Sequence, residues 1–276
     1  MKRSLLILFI LLIPFMVMAQ TAGGAIKRPG KSHSISKVAP KSQIESSTNK
    51  KEPTSHQNKS KALTGYTNGH AWVDLGLPSG TLWATMNVGA SKPEEYGDYF
   101  AWGETEPKSY YSWETYRWCN GSDSTLTKYC AKSEYAYKGI TDKKEKLDQV
   151  DDAAYVNWGN AWCIPSIDQF TELMDEKYAT KVWSTQNGVN GRQIISKKNG
   201  NSIFLPASGL CFDRTVAGRG ILCGYWNSTY PSFFPPYADG VFFDSNDVQI
   251  TSSRCYGFSI RPVTKKNMRY SQEDNR

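Results

Sequence analysis

Between Tyr225 and Asp247 the chain gathers residues suited to holding a ligand. The run Tyr230-Pro231-Ser232-Phe233-Phe234-Pro235-Pro236-Tyr237 sets aromatic rings among stiff prolines, and Asp244-Ser245-Asn246-Asp247 follows. Aromatic rings offer a large apolar face at low entropic cost, and Tyr adds a polar handle. A contiguous exposed set of such rings marks an interaction surface. Tyr230, Phe233, Phe234 and Tyr237, with Asp244, Asn246 and Asp247 as polar partners, are therefore the candidate ligand-binding residues. Calcium takes six to eight oxygen ligands, so Asp244, Asn246 and Asp247 could also supply part of a calcium shell. The same residue types favour a β-turn, which is the preferred reading. No other cofactor is expected. Trp226, at the start of an apolar segment, reads as core.

Catalytic chemistry finds less support. His33, His56 and His70 are the three histidines, and Ser-His-Asp or Cys-His catalysis needs an imidazole held against its nucleophile. Only His70 lies near the folded region. Histidine-rich zinc sites fail for the same reason. Gly218-Arg219-Gly220 lacks the remainder of a dinucleotide fingerprint,. Glu95, Glu104, Glu106 and Glu114 lie among Tyr96, Trp102, Tyr110, Tyr111 and Trp113. A glycosidase needs two carboxylates roughly 5–10 Å apart, but this cluster also fits an aromatic-rich surface loop. The acid pair Asp151-Asp152 is read as helix electrostatics rather than a catalytic dyad.

Composition divides the chain. Lys2 and Arg3 precede an apolar run from Leu5 to Met18 of 14 residues, closed by Val17-Met18-Ala19. That layout predicts a signal peptide over residues 1–19, and the run is shorter than the roughly 20 residues of a spanning helix. No transmembrane segment is expected after cleavage. Residues 20–64 carry Lys, Ser, Thr, Gly, Pro and Gln with no aromatic residue and no Cys, so they are expected to form a disordered basic linker. The full chain has 33 basic and 26 acidic side chains, but residues 65–276 hold 22 and 24 of them. The basic excess therefore belongs to the amino-terminal stretch. Nucleic-acid binding by the folded region loses its electrostatic basis.

Residues 65–263 are expected to form one globular domain, with 264–276 a polar tail. All nine Trp and all six Cys fall in this domain. Gly, Pro, Asn and Asp interrupt it often enough to predict many short strands. Strands are predicted at Trp72–Leu75, Leu82–Met86 and Tyr99–Trp102. Asn199-Gly200 predicts a tight hairpin between Gln193–Ser196 and Ser202–Leu205. Two helices are predicted. One follows Ser166, with Ile167, Phe170, Leu173, Met174 and Tyr178 on one face and Ser166/Gln169 as a capping box. The other runs from about Asp148 to Asn157. The expected class is α+β.

Several ordered stretches resemble the Fibrobacter succinogenes major paralogous domain family. They are Val73-Asp74-Leu75-Gly76-Leu77-Pro78-Ser79-Gly80-Thr81-Leu82-Trp83-Ala84 and Glu95-Tyr96-Gly97-Asp98-Tyr99-Phe100-Ala101-Trp102-Gly103-Glu104, then Asp151-Asp152-Ala153-Ala154. Trp162 with Ile164-Pro165-Ser166, Phe204-Leu205-Pro206-Ala207, Gly224-Tyr225-Trp226 and Gly257-Phe258-Ser259-Ile260-Arg261-Pro262-Val263 complete the set. The resemblance spans about residues 71–263. It implies a C-type-lectin-like or formylglycine-generating-enzyme-like fold in an exported or surface protein, and no defined reaction. The Trp-Asn-Asp signature of calcium-dependent lectins is absent. Cys163 and Cys255 stand where the family leads one to expect polar residues, which points to a bond between them. Cysteines in an exported chain favour disulfides, and six allow fifteen connectivities. The preferred set is Cys119–Cys130, Cys211–Cys223 and Cys163–Cys255. Cys255 is also the nearest candidate for thiol chemistry of the formylglycine-generating kind.

The resulting expectation is an exported recognition module of the periplasm, cell surface or medium, binding glycan or a surface protein through aromatic loops. The alternatives are a structural surface component without a small ligand, and an enzyme of the glycosidase-like or formylglycine-generating-like kind.

Overall fold

The computed structural model describes residues 64–144, 146–244 and 247–265, with the backbone alone for 247–251. The expected signal peptide (1–19), nearly all of the expected linker (20–64) and all but the first two residues of the polar tail (264–276) lie outside the described residues. So does Asn246.

The described residues form small antiparallel sheets and two helices, an α+β arrangement. One sheet has the order β1 (Thr64–Thr67), β2 (His70–Asp74), β3 (Thr81–Ala84), β12 (Val263–Lys265). A second joins β4 (Ala179–Gln186), β5 (Val189–Ser196) and β6 (Ser202–Pro206). A third has β11 (Asp247–Ser253) and β9 (Cys223–Trp226) flanking β10 (Tyr237–Phe243). A short pair joins β7 (Leu210–Phe212) to β8 (Thr215–Ala217). No helix among the described residues is long and apolar enough to cross a membrane.

Local sequence explains most boundaries. Thr67 pairs with His70 across Asn68 (φ 48°) and Gly69 (φ 78°), and Gln186 pairs with Val189 across Asn187 (φ 48°) and Gly188 (φ 83°). Two consecutive left-handed residues match the twist of the strands they join, so Asn-Gly closes both hairpins. The predicted Asn199-Gly200 hairpin forms, but its turn is longer than expected, spanning Lys197 to Asn201 between β5 and β6. Only Gly200 is left-handed there. Ser196 Oγ takes the Lys198 and Asn199 N–H groups and donates to the Leu75 carbonyl, which ties the wide turn to a neighbouring loop.

The strand expected to continue to Met86 ends at Ala84. Tyr99–Trp102 is no full strand: it makes a single bridge, Phe100 to Phe258, before Gly103 (φ 78°) turns the chain.

Helix α2 (Ile167–Met174) begins at Ser166 with the predicted capping box in place, both reciprocal bonds to Gln169 being present. It ends before Tyr178, which sits in the following turn and accepts from Lys197 N. Replacing Ser166 with Ala is expected to cost about 1 kcal/mol by urea denaturation. A Gln169→Ala variant losing the same amount would confirm that the two act as one cap.

Helix α1 (Ala153–Trp158) is shorter than predicted because Asp152 ends a 3-10 turn (Gln149–Asp151) and caps α1 through Ala154 and Tyr155 N–H. The acid pair thus divides. Asp152 is the helix cap, whereas buried Asp151 accepts from Lys128 Nζ and Tyr129 Oη, both at 2.5 Å.

Three clusters make the core. In the first, α2 places Phe170 and Leu173 against Trp83, Ile194, Leu205, Tyr225 and Val241. The second is aromatic, and Trp226, buried as expected, meets Phe258 edge-on at 4.3 Å. The third lies under the long 99–136 segment, with Tyr111, Tyr116, Leu126, Cys130, Cys211 and Cys255.

Candidate functional site

The aromatic run at 230–237 divides between core and surface. Tyr230 is buried, meets Trp102 edge-on at 5.6 Å, and donates its hydroxyl to the Lys144 carbonyl. The Arg254 guanidinium lies 4.3 Å from its ring. Tyr230 is therefore a packing residue, a correction to its expected place among the ligand contacts. Prolines on either side set the chain direction: Phe234 N–H bonds Pro231 O, and Tyr237 N–H bonds Phe234 O. This double turn lifts Phe233 and Phe234 outward, to 58% and 37% exposure.

Phe234 stacks on Tyr237, the first residue of β10, with centroids 4.7 Å apart. Tyr135, from the 3-10 turn Ser133–Tyr135, meets it edge-on at 5.7 Å. Tyr135, Phe234 and Tyr237 thus form a cluster of rings, and exposed Phe233 precedes Phe234 in the chain. Neighbours along the chain supplied Phe233, Phe234 and Tyr237, but Tyr135, about a hundred residues away, arrives by tertiary packing. No local signal in its own sequence marks it.

A polar group lies beside these rings. Side chains alternate along a strand, so Asp239 shares the Tyr237 face of β10. The half-buried Asp239 carboxyl makes no hydrogen bond or ion pair among the described residues, and burial alone pushes its pKa up to about 6. Asn227, whose N–H donates to the Asp239 carbonyl, is fully buried with Nδ2 unpartnered. Asp239 has no signature in the sequence, since a single Asp in an apolar strand carries no motif.

The expected Asp244–Asp247 cluster is only partly described. Arg192 Nη2 donates to the Asp244 carbonyl at 2.6 Å, which places a cation beside this turn. Asp247 opens β11 opposite Phe243. Among the described residues there is no group of three or more His, Cys, Asp and Glu side chains placed to hold a metal.

The acids among the 95–114 aromatics have local partners. Buried Glu104 accepts from Lys108 Nζ at 2.9 Å and from Arg117 N–H at 2.8 Å. Glu95 takes Ser91 N–H, and Glu114 takes the Tyr110 hydroxyl. Glu106 is exposed.

All six cysteines are free thiols. Cys119 and Cys130 share the third core cluster, but Cys211 and Cys223 fall in different clusters. Cys163 is exposed opposite Val263, whereas Cys255 is buried in the third cluster. The structure thus shows none of the expected pairs, Cys119–Cys130, Cys211–Cys223 or Cys163–Cys255, as bonded, and strand pairing carries the partners of the last two to separate surroundings. Burial pushes the Cys255 thiol up to about 11, whereas a reactive cysteine needs its pKa lowered.

Comparison of the chain with protein-family models, curated proteins and solved structures gave no match.

Proposed function

We propose that the protein is an exported recognition module that binds a glycan on the surface formed by Tyr135, Phe233, Phe234 and Tyr237. The observation carrying this reading is the Tyr135–Phe234–Tyr237 ring cluster next to exposed Phe233, with the Asp239 carboxyl, which makes no hydrogen bond among the described residues, on the Tyr237 face of β10. Flat rings take the C–H face of a sugar, and a carboxylate accepts from its hydroxyls. A few well-placed polar groups beside apolar rings are what orients a small ligand. Export is supported by the signal-type amino terminus, and the C-type-lectin-like assignment by the family resemblance and the α+β class. No calcium ion is needed in this reading, because the acceptor is Asp239.

A glycan array, followed by titration of the best neutral oligosaccharide, tests the proposal. Replacing Phe233, Phe234 and Tyr237 with Ala is expected to weaken binding at least tenfold without loss of the folded state. Binding is also expected to weaken as pH falls through about 6, because protonated Asp239 is a poorer acceptor,. An array with no signal, or binding indifferent to the triple substitution, overturns the assignment. A co-purifying protein in place of any glycan signal would favour the structural-component reading.

A further inference from the structure

A cleft of about 310 Å³ opens on a different set of residues: Gly76, Pro78, Lys177, Tyr178, Lys197 and Lys198. Three loops build it. They are the one after β2, the one between α2 and β4, and the wide turn between β5 and β6. Hydrogen bonds fix these loops to one another. Lys197 N–H donates to Tyr178 O at 2.8 Å, Ser196 Oγ to Leu75 O at 2.6 Å, and the side-chain amides of Asn199 and Asn201 both donate to Asp74 O. Gly76 adopts a positive φ of 63°, and a Cβ there would come within 2.9 Å of Lys198 Cδ, so a larger residue would displace the Lys198 side chain. The loop backbones are thus tied together, while the lysine side chains are exposed.

Its charged lining is wholly cationic. Lys177, Lys197 and Lys198 make no ion pair among the described residues. Lys197 Nζ donates only to the Glu176 carbonyl, and Lys177 Nζ lies 5.1 Å from the Tyr178 ring centre. Acids also lie nearby, and each has a local hydrogen-bond or ion-pair partner. Asp74 takes Gly76 N–H, Glu172 takes Ser79 N–H and Oγ, Asp175 takes Lys177 N–H, and Glu176 faces Lys181 at 3.9 Å. Lys177, Lys197 and Lys198 are exposed at this one cleft, so an anion bound there would be attracted by all three. The cleft lies at the small end of ligand pockets, about 300–1,000 Å³, and exceeds what one oxyanion fills. Tyr178 adds a ring beside the charges, with its hydroxyl making no hydrogen bond among the described residues.

We infer that this cleft binds an acidic glycan, a sugar ring against Tyr178 with its carboxylate or ester oxyanion held by Lys177, Lys197 and Lys198. The assignment is independent of the aromatic surface, and amide-resolved NMR separates the two. The ¹⁵N-labelled full chain is titrated with a galacturonate trimer, a neutral galactose trimer, inorganic sulfate and inorganic phosphate. Residue-level resolution is needed because the basic residues of 20–64 attract any polyanion.

The acid trimer is expected to shift the amides of Gly76, Lys177, Lys197 and Lys198 saturably, at concentrations at least tenfold below either inorganic ion. Half-saturation should move upward with added salt. The neutral trimer should leave these amides unmoved, whether or not it shifts Phe233, Phe234 and Tyr237. The combined K177Q, K197Q and K198Q variant should bind the acid trimer at least tenfold more weakly, with a dispersed spectrum showing that the fold is kept. Shifts confined to residues 20–64, or unchanged in the triple variant, overturn the site. Inorganic phosphate binding as tightly as the trimer overturns the glycan assignment and leaves a small-oxyanion site.

Discussion

Replacing Arg261 with Met is expected to cost about 3–5 kcal/mol of folding stability, the largest single-residue effect argued for this domain. Arg261 is fully buried, and no carboxylate pairs with it. Its guanidinium instead donates to Asn87 Oδ1 at 2.8 Å, Ala84 O at 3.1 Å and Phe204 O at 2.8 Å. These acceptors belong to β3, the loop after it and β6, so one planar side chain joins two sheets. Burial opposes its charge, and the neighbouring Tyr225 favours it. Methionine matches the stem but leaves three buried acceptors without donors, each costing about 1–3 kcal/mol, while relief of the buried charge offsets part of the total. Arg261→Lys should recover only a fraction, because an ammonium cannot reproduce the fork. Urea denaturation decides the matter. A loss below about 1 kcal/mol for the Met variant would mean that water or repacking satisfies those oxygens.

Arg261 also shows where sequence reading stops. It stands in the closing Gly257-to-Val263 stretch, and nothing local separates a buried arginine from a surface one. The difference lies in which carbonyls the remainder of the chain brings within reach. Arg254, buried over Trp102 and bonded to the Tyr129 and Tyr237 carbonyls, repeats the point. Features settled by near neighbours were legible: the Ser166/Gln169 cap, the buried Trp226 and the existence of the β5–β6 hairpin. Asn187-Gly188 is an equally local signal and closes a tight turn, whereas the Asn199-Gly200 turn is wider, with the Ser196 hydroxyl bonding across to Leu75. The site followed the same division. Phe233, Phe234 and Tyr237 stood together in the chain. Tyr135, Asp239 and the three-loop lysine cleft are assembled only by tertiary contacts. Tyr230, in the same run, was drawn inward by Trp102 and Arg254.

The pH dependence of stability should carry the signature of two carboxyls. Burial pushes Asp152 and Asp239 each up to about 6. A raised carboxyl pKa means that the folded chain holds the proton more tightly than the unfolded chain. Each group therefore favours folding below about pH 4, and that contribution is lost as pH rises through about 6. The full shift corresponds to about 3 kcal/mol for one carboxyl, reduced to about 1–2 kcal/mol for the partly exposed Asp239. Their surroundings differ in a way substitution can read. Asp152 accepts from Ala154, Tyr155 and Ile164 N–H, so Asp152→Asn should flatten its share of the pH profile, whereas Asp152→Ala should lose the cap at every pH. Asp239 has no such partner among the described residues. Asp239→Asn should match the parent near pH 4 and exceed its stability by about 1–2 kcal/mol at pH 7, measured by urea denaturation at each pH. Equal stability at both values would show that the carboxyl is solvated after all. Keeping an ionised carboxylate half-buried on the Tyr237 face of β10, without a partner among the described residues, lowers the stability of the free protein at neutral pH, and a sugar hydroxyl donating to it would offset that cost. Saturating glycan should therefore erase the advantage of Asp239→Asn at pH 7, a result that a purely structural Asp239 could not produce.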